Sequence, residues 1–423
     1  MRRTILQQVS LSIAAFALVF MGADWTRFRG PDARGVSDAT GVPATWTAEE
    51  NVVWKTPLPG FGASSPITCG DRIFVTCYSG YGLSKDEPGE QGDLQHILLC
   101  LRQADGKVVW AKATEAELPD TKYGGFVALH GYASSTPTTD GQALYAFFGR
   151  SGVFAYRLDG QPLWRAKVGE GTHNWGSATS PILFENLLIV NASVESGSVV
   201  ALDKKTGGEV WRVPDVKSSW STPLVVDLPN GSHELVVSSH SKIRGIDPAT
   251  GKELWECAGV PDYVCPSVTA HEGIVYVTGG RKPFTFAIRA GGQGDVTDTH
   301  VLWELRETPK VPTPLYHDGH LYWVSQRGVA VCVDAKSGEV VYEERMDVSG
   351  RGDKVYASPV LVDGKLFCVT RSDGTIVLAP GPEFNEIARN HLGDDSIFNA
   401  TPTPLDDGRL LVRSDRFLYC IGK

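Results

Sequence analysis

Several signatures are missing from this sequence, and their absence narrows the chemistry. It has no HExxH pair, no glycine-rich loop ending in GK[ST] and no G-x-S-x-G elbow, so the compact marks of zinc proteases, phosphate-binding loops and serine hydrolases are not there. No C-x-x-C and no Cys/His cluster points to zinc or iron–sulfur. No basic run exists either: 40 Lys and Arg against 49 Asp and Glu give a net charge of -9, the wrong sign for meeting a nucleic-acid backbone. Nucleic acid is therefore not an expected partner. Only 3 methionines stand against 46 glycines and 25 prolines spread along the chain, so the backbone turns often and strands are favoured over helices. A hydrophobic content of 42% still permits a large core.

One apolar run stands apart. Arg2 and Arg3 precede VSLSIAAFALVFMGA, Val9 to Ala23, which is short for a spanning helix and of the length of a signal-peptide core. Residues 1–23 are expected to be a signal peptide, which places the protein in the periplasm or otherwise outside the cytoplasm. Met21 is bulky for a cleavage site, so an uncleaved anchor, and with it peripheral membrane association, stays open. The opening RRTILQ loosely resembles a twin-arginine signal, and no cysteine follows the apolar run to carry a lipid. Residues 24–50 read as an N-terminal lead-in and 51–423 as a single domain.

The eight cysteines invite a disulfide reading that their spacing cools. Cys100, Cys332 and Cys420 occupy, in LLCLR, AVCVD and LYCIG, the slot that Ala201 fills in VVALD. A small apolar residue suits a crowded strand there, so most cysteines are expected to be buried and unpaired, with Cys257 and Cys265 as the exception.

Two phrases repeat. ALDKKTGGEVW ends at Trp211, GIDPATGKELW at Trp255 and CVDAKSGEVVY at Tyr342, with degenerate copies ending at Trp110 and Trp164. Each reads as strand, tight turn, strand, with glycine supplying positive φ and the aromatic an apolar surface for the next strand. A second phrase precedes it eight times, anchored on Pro66, Pro137, Pro181, Pro223, Pro266, Pro314, Pro359 and Pro404, followed by a hairpin pattern around Gly, Asp or Asn. Eight copies at a period in the forties predict an all-β, eight-bladed β-propeller of four-stranded antiparallel blades. The outermost strands fall at Trp54, Trp110, Trp164, Trp211, Trp255, Trp303, Tyr342 and FNEIARN. Because VVWKTPL precedes the first copy and FLYCI ends the last, N-terminal and C-terminal strands are predicted to pair and close the ring.

Alternating strand direction puts the connections before each proline phrase on one face, together with the turns between second and third strands. That loop-rich face is the candidate site. It gathers His130, Tyr132, His173, Trp175, Trp220, Tyr263, Lys310, Lys354 and Tyr356 from the connections, with Arg281 and Arg327 from the turns. Aromatics and cations converging there suit a planar anion, an extended segment of another protein, or a plugged channel with no ligand at all. No catalytic residues are assigned. His317 and His320 straddle a turn on the opposite face and lack a third ligand in the sequence. Two insertions, after Cys77 and after Trp110, decorate the candidate face; GGQGDVTDTH, between Ala290 and Val301, reads as an excursion on the other.

The VxALDxxTGxxxW phrase, best at 199–211 and 243–255, resembles the repeat of pyrroloquinoline-quinone (PQQ) proteins, and WTRFRGPDARG resembles the opening of exported PQQ-like propellers. One branch of that superfamily resembles the outer-membrane β-barrel assembly propeller, which implies partner binding without a cofactor. The other, the quinone dehydrogenases, implies PQQ with calcium, a stacking tryptophan, an aspartate base and adjacent cysteines. This chain has no adjacent cysteines and no local copy of the metal and carboxylate pattern. The resemblance therefore implies an exported, non-catalytic scaffold, monomeric in isolation, for an envelope or periplasmic protein. A periplasmic dehydrogenase acting on a small alcohol or sugar is the alternative.

Overall fold

The computed structural model describes residues 24–349 and 352–423, so the expected signal peptide lies outside the described residues. Eight antiparallel sheets, each built on four strands, follow one another along the chain. The third blade shows the pattern: Ile182–Phe184 innermost, then Leu187–Ala192, Ser198–Asp203 and Glu209–Val213. Its second strand is buried at every position, because neighbouring blades cover both of its faces. Its outermost strand is half exposed.

The repeated phrase is a clasp between blades. Asp203 Oδ1 accepts from the backbone N–H groups of Lys205 (3.1 Å) and Thr206 (2.8 Å), which fixes the turn. Gly207 then adopts φ +75°, and a Cβ there would lie 2.6 Å from the Trp164 ring of the preceding blade. Trp164 Nε1 donates to Lys204 O in the same turn at 3.1 Å. Trp54, Trp110, Trp211 and Trp303 reach the next blade's turn in the same way, through Gln103, Leu158, Pro248 and Ala335. Beside each outer aromatic the strand carries a bulge, and the aromatic pairs with a small residue: Trp110 with Cys100, Trp211 with Ala201, Tyr342 with Cys332, Trp54 with Cys420. The small-residue slot is thus a seat for an aromatic ring. All eight cysteines are free thiols, so Cys257 and Cys265 are not the paired exception; both are free.

Trp255 departs from the clasp. It lies over Gly245 of its own blade and donates to the buried carboxylate of Glu234 at 2.8 Å, which also accepts from Gly291 N. The excursion after Ala290 replaces the turn that Trp255 would have met. Rather than project freely, it returns to lay Gly294–Asp295 parallel to Glu253–Ala258 as a fifth strand.

Closure follows the expectation. Val52–Pro57 pairs antiparallel with Phe417–Ile421, and Glu386–Asn390 is the outer strand of the seventh blade. The buried apolar residues fall into eight clusters, each spanning one pair of neighbouring blades, including the first and the eighth. Every blade is therefore stabilised mainly by its neighbours, since a single sheet cannot bury both faces alone.

A second ring runs inside the first. The N–H of Ser65 donates to Thr136 Oγ1, Thr136 to Ser180, Ser180 to Thr222, Thr222 to Ser267, Ser267 to Thr313, Thr313 to Ser358, Ser358 to Thr401, and Thr401 back to Ser65, all between 2.9 and 3.1 Å. This register corrects two anchors. In the eighth blade Pro402 follows the ring residue and Pro404 sits two positions later, within the inner strand; in the fifth, Pro266 precedes the ring residue Ser267 and Val268 takes the usual proline position. The repeating signal is the hydroxyl residue rather than the more conspicuous proline beside it.

The lead-in crosses the axis on the far side of this ring. Trp25 bonds to Thr68 of the first blade, Thr26 O accepts from Thr139 of the second, and Arg29 reaches Thr313 O and Pro314 O at the sixth. Val36–Ser37 then runs parallel to Val360–Val362 as an extra inner strand of the seventh blade. No helix among the described residues is long and apolar enough to cross a membrane.

Candidate functional site

Within the loop-rich face lies a cavity of about 370 Å³ on the propeller axis. All eight ring hydroxyl residues line it, and Phe28 of the lead-in closes its base. The axis is thus a cup, blind at one end. Every inter-blade connection contributes to its wall because the strand directions bring all eight connections to the same rim.

The aromatic side is tightly built. Trp175 lies 4.8 Å from Trp220 between ring centres, 4.6 Å edge-on to Tyr263 and 5.0 Å from Phe126. Trp220 Nε1 donates to Gly176 O at 2.8 Å, which locks its ring. His130 holds the same segment through Trp175 O (2.8 Å) and turns its other nitrogen to Ser134 Oγ (2.6 Å). Burial pushes the His130 imidazole below its ordinary value, so it is neutral near pH 7. Burial likewise raises the Tyr263 phenol and the Cys265 thiol, each to about 12.

The charged side is formed by Arg281 and Lys310, from the fifth blade and the connection after it. Each is tied through its backbone N–H, to Asp262 and Thr308 respectively, and among the described residues neither side chain has a hydrogen-bond or ion-pair partner. Asp353 is the one carboxylate of the wall among the described residues and accepts from Tyr356 OH at 3.0 Å. Arg371 lies behind Tyr356, 4.7 Å from its ring, and donates to Asn399 Oδ1.

Of the residues singled out from sequence, His130, Trp175, Trp220, Tyr263, Arg281, Lys310 and Tyr356 line this one cavity. His173 stands at its edge, 4.9 Å from Trp220. The remaining three lie away from the cup lining. Tyr132 packs on Tyr78 and Tyr81 and donates to Thr121 O, joining the two insertions into one lobe. Lys354 turns to Val348 O, and Arg327 is not part of the wall. Sequence reasoning missed Phe28, Phe126, Gln326, Asp353 and the ring hydroxyls; only the last left a periodic trace, Ser or Thr before proline in every blade but the fifth.

Behind Trp175 a second polar group is enclosed. Glu195, 4% exposed, accepts from Ser177 Oγ and has no cationic partner among the described residues; burial raises its carboxyl to about 7. Asp120 and His96 line a small cavity beside Ser177, and His96 Nδ1 has no hydrogen-bond partner among the described residues.

The sequence family described as outer membrane protein assembly factor BamB matches residues 36–193, 195–314 and 294–380. The chain belongs to this BamB family. Among solved structures, BamB from Moraxella catarrhalis superposes with a TM-score of 0.60 over 87% of this chain and 96% of that one, at 15% identity. Quinohemoprotein alcohol dehydrogenase from Comamonas testosteroni gives 0.52 over 94% and 80%, at 13% identity. At such identities the likeness is one of fold. A polyvinylalcohol dehydrogenase from a Pseudomonas species is 28% identical over 253 residues, 51% of this chain and 38% of that protein. The matched region thus spans well under half of that relative's length.

The dehydrogenase likenesses raise the question of PQQ with calcium. Calcium takes six to eight oxygen ligands, usually with several carboxylates. The cup wall offers Asp353 alone, already bonded to Tyr356, and among the described residues no group of three or more His, Cys, Asp or Glu side chains is placed to hold a metal. PQQ itself is a tricarboxylate, whereas Arg281 and Lys310 against Asp353 leave the wall with a single net positive charge. The donor set of this member of the BamB family does not fit that pair.

Proposed function

We propose that this protein is an exported, non-catalytic binding scaffold that presents its cup-bearing face to an envelope or periplasmic protein and receives part of that partner in the cup. The observation that carries the reading is the cup itself, a blind, aromatic-walled cavity with two unpaired cations on the face where all eight connections meet. A site of this kind binds through shape, stacking and charge, and among the described residues its wall carries one carboxylate and no cluster placed to hold a metal. The membership in the BamB family supports the same reading.

Site-specific photo-crosslinking tests it. A crosslinker replacing Arg327, which follows the wall residue Gln326 in the chain, and another replacing Lys205 on the opposite face are compared in the envelope fraction. Adducts to a defined protein from the Arg327 position only, competed away by excess unlabelled protein, are expected. Equal labelling from both positions would count against the scaffold face. Alcohol-dependent dye reduction by the protein supplied with PQQ and calcium would replace the reading with a dehydrogenase.

A further inference from the structure

The cup's chemistry narrows what the partner inserts. Because Phe28 and the hydroxyl ring close the base, an extended strand cannot thread through; only a chain end or a lone side chain enters. A volume of about 370 Å³ is at the small end of ligand cavities, room for one or two residues.

Two independent features favour an anion there. The first is the unpaired pair, Arg281 and Lys310. The second is the floor. Each of the eight ring hydroxyl oxygens accepts its neighbour's backbone N–H, and among the described residues none of these hydroxyls donates to another protein atom. Their hydrogens are therefore available to an acceptor in the cup. The two cations, offset by Asp353 in the wall and by Asp262 at the Arg281 backbone, with His130 neutral, suit one negative charge rather than two or three. Next to them along the wall, Trp175 lies 4.8 Å from Trp220 and 4.6 Å from Tyr263 between ring centres, a surface for a further aromatic ring.

We propose that the cup is a receptor for a chain terminus: the C-terminal aromatic residue of the partner, its free carboxylate held by Arg281, Lys310 and the hydroxyl floor, its ring packed on Trp175, Trp220 and Tyr263. This rests on the binding-scaffold reading and names what that scaffold grips. A terminal residue carries one carboxylate and one ring on the same backbone unit, whereas an internal segment brings an aromatic ring without the charge. Taking that carboxylate out of water is offset by the charge-assisted bonds waiting for it.

The test is titration of the folded protein, followed by tryptophan fluorescence and calorimetry, with the peptide Gly-Ser-Gly-Ser-Gly-Phe as free acid, as C-terminal amide and extended by two glycines. Saturable binding of the free acid is expected, weakened by at least about tenfold in the amide and in the extended peptide, with a marked salt dependence. The double variant Arg281→Gln/Lys310→Gln is expected to bring the free acid down to the amide's affinity while circular dichroism and thermal midpoint stay unchanged. Equal binding of acid and amide, or no binding by either, overturns the proposal without any variant being needed. N-acetylphenylalanine binding as tightly as the peptide would also overturn it, in favour of a free aromatic acid. If crosslinking from the Arg327 position persists while the acid peptide fails to compete, the chain-end proposal falls and the scaffold reading stands; if crosslinking is absent, the scaffold reading itself falls.

Discussion

The backbone N–H of Thr401 donates to Ser65 Oγ at 3.1 Å, joining residues 336 apart in sequence and completing a ring of eight such bonds. The other seven join neighbouring blades in chain order, so this one is the only member that depends on the two ends of the propeller meeting. Strand pairing of Trp54 with Cys420 and the apolar cluster between the first and eighth blades close the same seam.

Breaking the ring at its seam should be measurable. Ser65→Ala leaves the buried Thr401 N–H without an acceptor, which costs about 1–3 kcal/mol. Ser65→Thr keeps the hydroxyl and should cost less. Denaturant midpoints of the two variants check this; equal midpoints would show that the ring bond contributes nothing.

The clasp makes two adjacent glycines unequal. Gly207→Ala places a Cβ 2.6 Å from the Trp164 ring at φ +75°, while at Gly208 the nearest atom would be Thr206 Oγ1 at 3.4 Å. The first substitution should destabilise by about 1–3 kcal/mol and perturb the near-ultraviolet dichroism of tryptophan, the second by less than about 0.5 kcal/mol. Thermal melts of the pair decide it.

Glu195 should impose a pH slope on stability. Desolvation raises its folded-state carboxyl from 4.5 to about 7, with the Ser177 hydroxyl opposing the shift. The folded protein therefore holds a proton that the unfolded chain has released, so the stabilisation is fully present below about 4.5 and is lost as pH rises through about 7. Glu195→Gln should flatten that segment of the stability profile and exceed the wild type at pH 8, by up to about 3 kcal/mol. Chemical denaturation at pH 5, 6, 7 and 8 reads this out.

Arg29 should hold the base of the cup shut. It is 1% exposed and donates to the carbonyls of Ala33, Arg34, Thr313 and Pro314 between 2.8 and 3.1 Å. Arg29→Met removes all four bonds at once and leaves the buried Thr313 O without this donor, while Pro314 O still accepts from Thr269, so the lead-in should detach before the propeller unfolds, at a cost of about 2–4 kcal/mol. Faster proteolysis within residues 24–35, with the remaining fragment intact by mass, is the expected result.

The blade count, the face that carries the connections and the closing strand were legible because they repeat: a turn needs Asp and Gly, a ring needs a small seat, and the same need recurs at every blade. Trp175, Trp220 and Tyr263 could be assigned to one face by strand direction alone. Their ring-to-ring distances could not, since these depend on how far each connection leans toward the axis. Tyr132 shows the limit. Its position in the chain matches the cup residues, yet it packs into the lobe made by two insertions that have no counterpart in other blades.

What the sequence by itself determined is therefore whatever is dictated locally and repeated, the eight units and their order. Only the tertiary structure decided what the axis is. Phe28 and Arg29 come from an unrepeated segment that meets the ring through contacts spanning nearly 300 residues, and no local pattern encodes a contact made across the whole circle. The unpaired state of Arg281 and Lys310 is of the same kind, because a charge is free or matched according to what folding brings beside it.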